Sequence, residues 1–145
     1  MKKTYGVLGG GSWGTAIVKI LLEKSTSINW YVRNEENIDF IKKHKRNPNY
    51  LRSLVLNINK INLNSSVEET VKSSNVIILA IPSPFLDSEL KKIESSLTGK
   101  TIFSALKGVV PESHLIVSEH LNQIYKVPFS KIGIITGPYA QSLTT

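Results

Sequence analysis

Near its start the chain passes from an apolar run straight into Gly9-Gly10-Gly11-Ser12-Trp13-Gly14, and few features restrict a fold as tightly as glycines set between a strand and a helix. Thr4 to Gly9 reads as a buried strand, and Thr15 to Lys24 as a helix with Ala16, Ile17, Ile20 and Leu21 on one face. Gly9, Gly11 and Gly14 then stand in a G-x-G-x-x-G pattern in the strand–turn–helix context that gives it meaning. Gly9 permits the tight turn, Gly11 lets backbone approach a pyrophosphate with no side chain between, and Gly14 lets the helix lie against the strand. The helix N-terminus offers free N–H groups and the positive end of its dipole, with Ser12 and Trp13 beginning the phosphate loop. Gly9, Gly11, Ser12, Trp13 and Gly14 are therefore the first candidate cofactor-binding residues.

The rest of the chain repeats the same unit. Short apolar, β-branched runs at Ile28–Val32, Ile61–Leu63, Val76–Ile81, Thr101–Ser104 and Ile132–Thr136 read as strands. Between them, amphipathic stretches at Glu35–His44, Val67–Val71 (capped by Ser65 or Ser66), Phe85–Leu97 and Glu112–Ile124 read as helices, the last with Leu115, Ile116, Leu121 and Ile124 as its buried stripe. The segment from Asn47 to Asn57 reads as an irregular connection held by two or three aromatic or aliphatic anchors. Val76–Ile81 is apolar throughout, as befits a central strand covered on both faces. Alternation of this kind predicts an α/β fold of the Rossmann type, a doubly wound parallel sheet, with residues 1–145 forming one NAD(P)-binding domain.

Composition narrows the function. The formal net charge of +7 admits an anionic partner, whether nucleic acid, a membrane surface or a phosphorylated small molecule; the basic residues, 15 lysines and 3 arginines, are spread along the chain, which argues against specific nucleic-acid binding, and composition alone does not choose among the others. With no cysteine and three scattered histidines, no metal site is expected. No apolar run of about 20 residues is present, and the chain enters a strand without a signal-peptide core, so no membrane association and a cytoplasmic location are expected.

Dinucleotide sites that take NAD usually carry an acid at the end of the second strand, on the ribose 2′-hydroxyl. Here Arg33 and Asn34 occupy that place. A cation there suits the 2′-phosphate of NADP, which favours NADP over NAD; the other reading pairs Arg33 with Glu35 or Glu36 in solvent.

Taken together, GVLGGGSWGTAI, WYVRN, VIILAIPSPFL, SALKGV and GPYA fall in an order and spacing that resemble the soluble NAD(P)-dependent glycerol-3-phosphate dehydrogenases, over the whole chain. Pro82 turns the chain at the carboxyl edge of the sheet, where ligands bind in such folds, and this brings Phe85 near the cofactor. The resemblance implies that Phe85 contacts the dinucleotide; read by itself, it is equally a hydrophobic residue opening a helix. Lys107, beside Gly108 and just after the fifth strand, is a compact cation at the same edge, and the resemblance implies contact with both cofactor and substrate. By the same comparison Gly137 touches substrate and Ala140 the cofactor, although Gly137-Pro138-Tyr139-Ala140-Gln141-Ser142 is one residue shorter than the family pattern and lacks its acid.

The resemblance implies interconversion of dihydroxyacetone phosphate and sn-glycerol 3-phosphate by hydride transfer, within carbohydrate metabolism and glycerophospholipid biosynthesis, by a homodimer. It also implies a helical C-terminal domain that supplies the catalytic lysine, and no such domain is expected here. Hydride transfer needs the carbonyl held and its oxygen protonated, so the chain alone is expected to bind cofactor without turnover. Two other readings stay open: a related reductase of ketopantoate or hydroxy-acid type, and a non-enzymatic nucleotide sensor.

Overall fold

Short runs of Val, Ile and Leu bounded by polar turns give a six-stranded, wholly parallel sheet in the computed structural model, which describes residues 3–24, 27–106 and 108–135. In chain order the elements are β1 (Tyr5–Leu8), α1 (Ser12–Leu22), β2 (Ile28–Tyr31), α2 (Glu35–His44), β3 (Ile61–Asn64), α3 (Val67–Lys72), β4 (Val76–Leu79), α4 (Ser83–Leu90), β5 (Thr101–Ser104), β6 (Val109–Val110), β7 (Leu115–Ile116), α5 (Val117–Tyr125) and β8 (Ile132–Ile134), with 3₁₀ turns before β3 and β8. The strand order is β3-β2-β1-β4-β5-β8, so the winding reverses between β1 and β4 and opens a crevice at their carboxyl ends. This is the expected Rossmann-type sheet.

Successive residues of a strand face opposite sides, and the core divides accordingly. On one side Leu8, Ile77, Leu79, Leu86, Leu90, Ile102 and Leu121 pack together; on the other, Val7, Ile17, Val18, Trp30, Ile41, Leu56 and Ile78 do. All four residues of β4 are buried, as a strand covered on both faces requires.

Four expectations are corrected. Helix α1 begins at Ser12, not Thr15, and its buried face is Gly14, Thr15, Ile17, Val18 and Leu22; of the expected stripe only Ile17 is buried. Small Gly14 lets the helix sink against β1, which turns that face inward. Helix α4 stops at Leu90 instead of Leu97: the Lys92 and Ile93 amides donate only three residues back, to the Glu89 and Leu90 carbonyls, and the Glu94 and Ser95 amides donate across the fold to the Glu68 carboxylate, so the helical ladder is not continued. The expected helix over 112–124 begins only at Val117: His114 adopts φ 61°, its N–H donates to the Val110 carbonyl at 2.9 Å, and β6 and β7 pair as an antiparallel hairpin. Of its expected stripe Leu121 is buried, Leu115 is half-buried, and Ile116 and Ile124 are exposed, while Val117 and His120 line the core instead. Finally, the 47–57 connection is anchored by Leu56 and by a polar residue, Asn47, while Tyr50, Leu51 and Val55 are exposed.

Candidate functional site

The glycine loop is held from below by its own carbonyls. Gly9 has φ +130°, a conformation open to glycine, and a Cβ there would meet the Ala80 carbonyl oxygen at 2.5 Å. The Gly9 amide donates to the Tyr31 carbonyl at 3.1 Å, and its carbonyl accepts from the buried Trp30 indole N–H at 2.7 Å. The Gly10 carbonyl accepts from Asn47 Nδ2 at 2.9 Å, and the Gly11 carbonyl from the Thr15 amide at 3.0 Å and the Thr15 hydroxyl at 2.7 Å. Gly14 lies so close beneath that a Cβ would stand 2.1 Å from the Gly9 oxygen.

With the carbonyls engaged, the amides remain. Among the described residues no hydrogen bond reaches the amides of Gly10, Gly11, Ser12 or Trp13. Gly11 is the N-cap of α1, with no side-chain cap and no acid in the first turn, whereas Asn34 and Ser66 cap α2 and α3 and acids follow both. A Cβ built on Gly11 would meet nothing within 4 Å. The α1 entrance thus presents free donors, a positive dipole end and open space, which fits a phosphate group.

Beside this entrance a cleft is lined by the loop glycines, Tyr31, Arg33, Ala80, Ile81, Pro82, Phe85 and Glu89. Arg33 is exposed at the end of β2 and makes no ion pair with Glu35 or Glu36; Asn34, next to it, is occupied in capping α2 through the Glu36 and Asn37 amides. Phe85, in the first turn of α4, is 56% exposed yet lines the cleft, so it is no core residue. On the cleft wall the Tyr31 hydroxyl donates to Glu89, whose other oxygen pairs with Lys92 Nζ at 2.8 Å. Burial, then the adjoining Glu89 carboxylate, push the Tyr31 phenol well above the ordinary tyrosine value, against a small opposing pull from Arg33. Tyr31 is accordingly a neutral donor.

Gly9, Gly11, Arg33 and Phe85 all border this one cleft, with Gly14 packed beneath the loop. Ser12 is exposed at the first position of α1, and Trp13 is half-buried against the Ile17 and Trp30 side of the core. Lys107, Gly137, Tyr139 and Ala140 lie outside the described residues. Four participants escaped the sequence reading. Trp30 and Asn47 brace the loop, and Tyr31 and Glu89 form the cleft wall. For Trp30 a signal existed, since a buried indole N–H needs a partner; Asn47 and Glu89 are far from the loop in sequence and gave none. Chemically, the arrangement can hold a pyrophosphate at the α1 entrance and a flat heteroaromatic group against Ile81, Pro82 and Phe85. The described residues contain no cluster of His, Cys, Asp and Glu able to hold a metal, and no helix long and apolar enough to cross a membrane.

Comparison with known proteins supplies the family. A sequence profile described as "NAD-dependent glycerol-3-phosphate dehydrogenase N-terminus" matches residues 4–142. The chain is 33% identical over 137 residues to the glycerol-3-phosphate dehydrogenase [NAD(P)+] of Pseudomonas aeruginosa, and 30% identical over 137 residues to that of Azotobacter vinelandii. Each alignment takes in 94% of this chain but 39% of the relative, so the chain spans about two fifths of the length of these curated relatives. Among solved structures, a glycerol-3-phosphate dehydrogenase from Saccharomyces cerevisiae superposes with a TM-score of 0.78 at 22% identity, covering 98% of this chain and 44% of that one. One from Coxiella burnetii gives a TM-score of 0.77 at 20% identity, covering 94% and 41%. At these identities the structural likeness speaks for the fold.

Proposed function

The chain belongs to the family of NAD-dependent glycerol-3-phosphate dehydrogenase N-terminal domains, and from that premise we propose that its cleft holds NAD(P) for the interconversion of dihydroxyacetone phosphate and sn-glycerol 3-phosphate. The observation that carries this reading is the α1 entrance, where anchored carbonyls leave free amides facing the open space beside Gly11. In this assignment the amides from Gly10 to Trp13 take the pyrophosphate, and Ile81, Pro82 and Phe85 flank the adenosine end. Arg33, unpaired by Glu35 or Glu36, meets the 2′-phosphate and favours NADP. The family resemblance extends the assignment to Lys107, facing cofactor and substrate phosphate, to Gly137 at the substrate and to Ala140 at the cofactor. It also implies a cytoplasmic homodimer for the complete protein.

When bound, the dinucleotide supplies or accepts the hydride. The chain's own part is to bind and orient: backbone donors at the phosphates, with a cation and an apolar wall at the adenosine end. Protonation of the carbonyl oxygen falls, by the same resemblance, to a lysine of the family's helical domain.

Gly11→Ala separates binding from folding. Its Cβ meets no neighbour, so the melting temperature should hold, while a methyl group in the phosphate approach lowers NADPH affinity by about tenfold or more in calorimetry. Undiminished affinity in that variant overturns the reading, as does a wild-type chain with no affinity for any pyridine nucleotide. For the substrate, a panel on the complete gene product should show turnover of dihydroxyacetone phosphate and none of ketopantoate or 2-keto acids.

A further inference from the structure

Of the side chains that brace the glycine loop, one is buried and reaches it from a distant part of the chain, and the cofactor assignment above gives it no role. Asn47 follows α2 and is 2% exposed. Its Oδ1 accepts from the amides of Asn49 at 2.9 Å and Tyr50 at 3.2 Å, which folds its own connection into a tight turn. Its Nδ2 donates to the Gly10 carbonyl at 2.9 Å and to the Thr15 hydroxyl at 3.0 Å. That hydroxyl passes its own proton to the Gly11 carbonyl at 2.7 Å. Both donors and both acceptor positions of the amide are therefore in use, and each bond bears on the orientation of a peptide unit.

From this we infer that Asn47 is a positioning residue for pyrophosphate: through Gly10 and Thr15 it turns two loop carbonyls inward, and so turns the amides of Gly11 and Ser12 outward to the ligand. The inference rests on the cofactor reading above. A peptide unit is rigid, so fixing its oxygen fixes the opposite direction of its N–H. Were the Gly10 carbonyl free, it could swing toward the entrance and present a partial negative charge to the phosphates. Trp30 fixes the Gly9 carbonyl in the same sense, but among the described residues it is Asn47 that bonds the Gly10 carbonyl and, by way of the Thr15 hydroxyl, bears on that of Gly11, the two peptide units that lead into α1. Other residue types of similar size fail there: aspartate lacks the N–H donors, and leucine leaves the Gly10 oxygen without a partner.

The test compares two ligands on the 145-residue chain. NADPH carries the pyrophosphate; adenosine 2′-monophosphate carries the phosphate directed at Arg33 and no pyrophosphate. In Asn47→Ala, calorimetry should show NADPH affinity lower by about 10-fold to 100-fold, the size expected when a buried hydrogen-bonding group loses its partner, with adenosine 2′-monophosphate affinity within about twofold of wild type. Should that variant fail to fold by circular dichroism, Asn47→Ser, whose hydroxyl is too short to reach Gly10, gives the same comparison. Equal weakening of both ligands, or no weakening of either, overturns the role assigned to Asn47. A wild-type chain that binds neither overturns the cofactor reading, and this inference with it.

Discussion

The two edges of the same sheet are finished in opposite ways. At the amino edge the polar groups are closed by side chains: Thr4 and Asn75 exchange hydrogen bonds at 2.9 and 3.0 Å, Asn29 Nδ2 donates to the Ser73 carbonyl and the Ser74 hydroxyl, Asn62 donates to Asn29, and Lys100 Nζ donates to the Ser74 carbonyl at 2.6 Å. At the carboxyl edge the loop carbonyls of Gly9, Gly10 and Gly11 are closed, by Trp30, Asn47 and Thr15, while among the described residues the run of amides from Gly10 to Trp13 is left without a partner. A buried or half-buried polar group without a partner costs free energy, so an edge left open in this one-sided way marks where an outside molecule completes the structure. The amino edge contributes stability; the carboxyl edge exchanges some of it for binding.

Substitutions can break this contrast or sharpen it. The largest effect is expected from Gly14→Ala, whose Cβ would lie 2.1 Å from the Gly9 oxygen and 2.9 Å from its carbon, both backbone atoms unable to move cheaply. It should cost roughly 3 kcal/mol or more in denaturant unfolding and abolish NADPH binding, since fold and site meet at that contact. Next, Arg33→Asp should lower NADPH affinity about 10-fold to 100-fold, leave NADH affinity unchanged and leave the melting temperature in place; an unchanged NADPH affinity refutes the role given to Arg33. Ser74→Ala is the mirror image at the closed edge, where a 2% exposed hydroxyl accepts from Asn29 and donates to Thr70. A loss of about 1–3 kcal/mol in stability is expected with NADPH affinity kept within about twofold, and a larger change in affinity would erase the distinction between the edges.

The smallest effect is absent at neutral pH and emerges in alkali. Burial, and secondarily the charge of Asp87, push the Tyr125 phenol up to about 12, and Tyr31 is raised in the same direction. A phenol that holds its proton more tightly when folded contributes fully below its unfolded pKa of 10.0, and that contribution drains away as pH climbs through about 12. Thermal melts from neutral to strongly alkaline pH should fall above that lower value. Tyr125→Phe should flatten part of the fall and Tyr31→Phe another part; Ser74→Ala should leave its slope unaltered.

How much of this could be read beforehand depended on distance along the chain. The strands, their parallel arrangement and the glycine loop were legible because each rests on a local pattern: a β-branched run in Val76–Leu79, β-branched and aromatic residues in Ile28–Tyr31, and glycines at fixed spacing after β1. The end of α4 and the hairpin at 109–116 were not legible. At the hairpin, the helical spacing of Leu115, Ile116 and Ile124 was outweighed by one residue, His114, in a left-handed conformation; after α4, the amides of Glu94 and Ser95 are taken by Glu68 from another helix. The site divides the same way. Gly9, Gly11 and Arg33 could be named from their neighbours, whereas Asn47 meets the loop across 37 positions and Glu89 meets Tyr31 across 58, separations over which no periodicity carries information.

Anchored carbonyls at Gly9, Gly10 and Gly11 also bear on time. If these carbonyls keep their partners when a nucleotide binds, the loop asks for little rearrangement, and association is expected to be limited by diffusion and collision geometry. Differences among nucleotides, or among variants of the cleft, should then surface as residence time, with departure slowed or hastened and arrival barely altered.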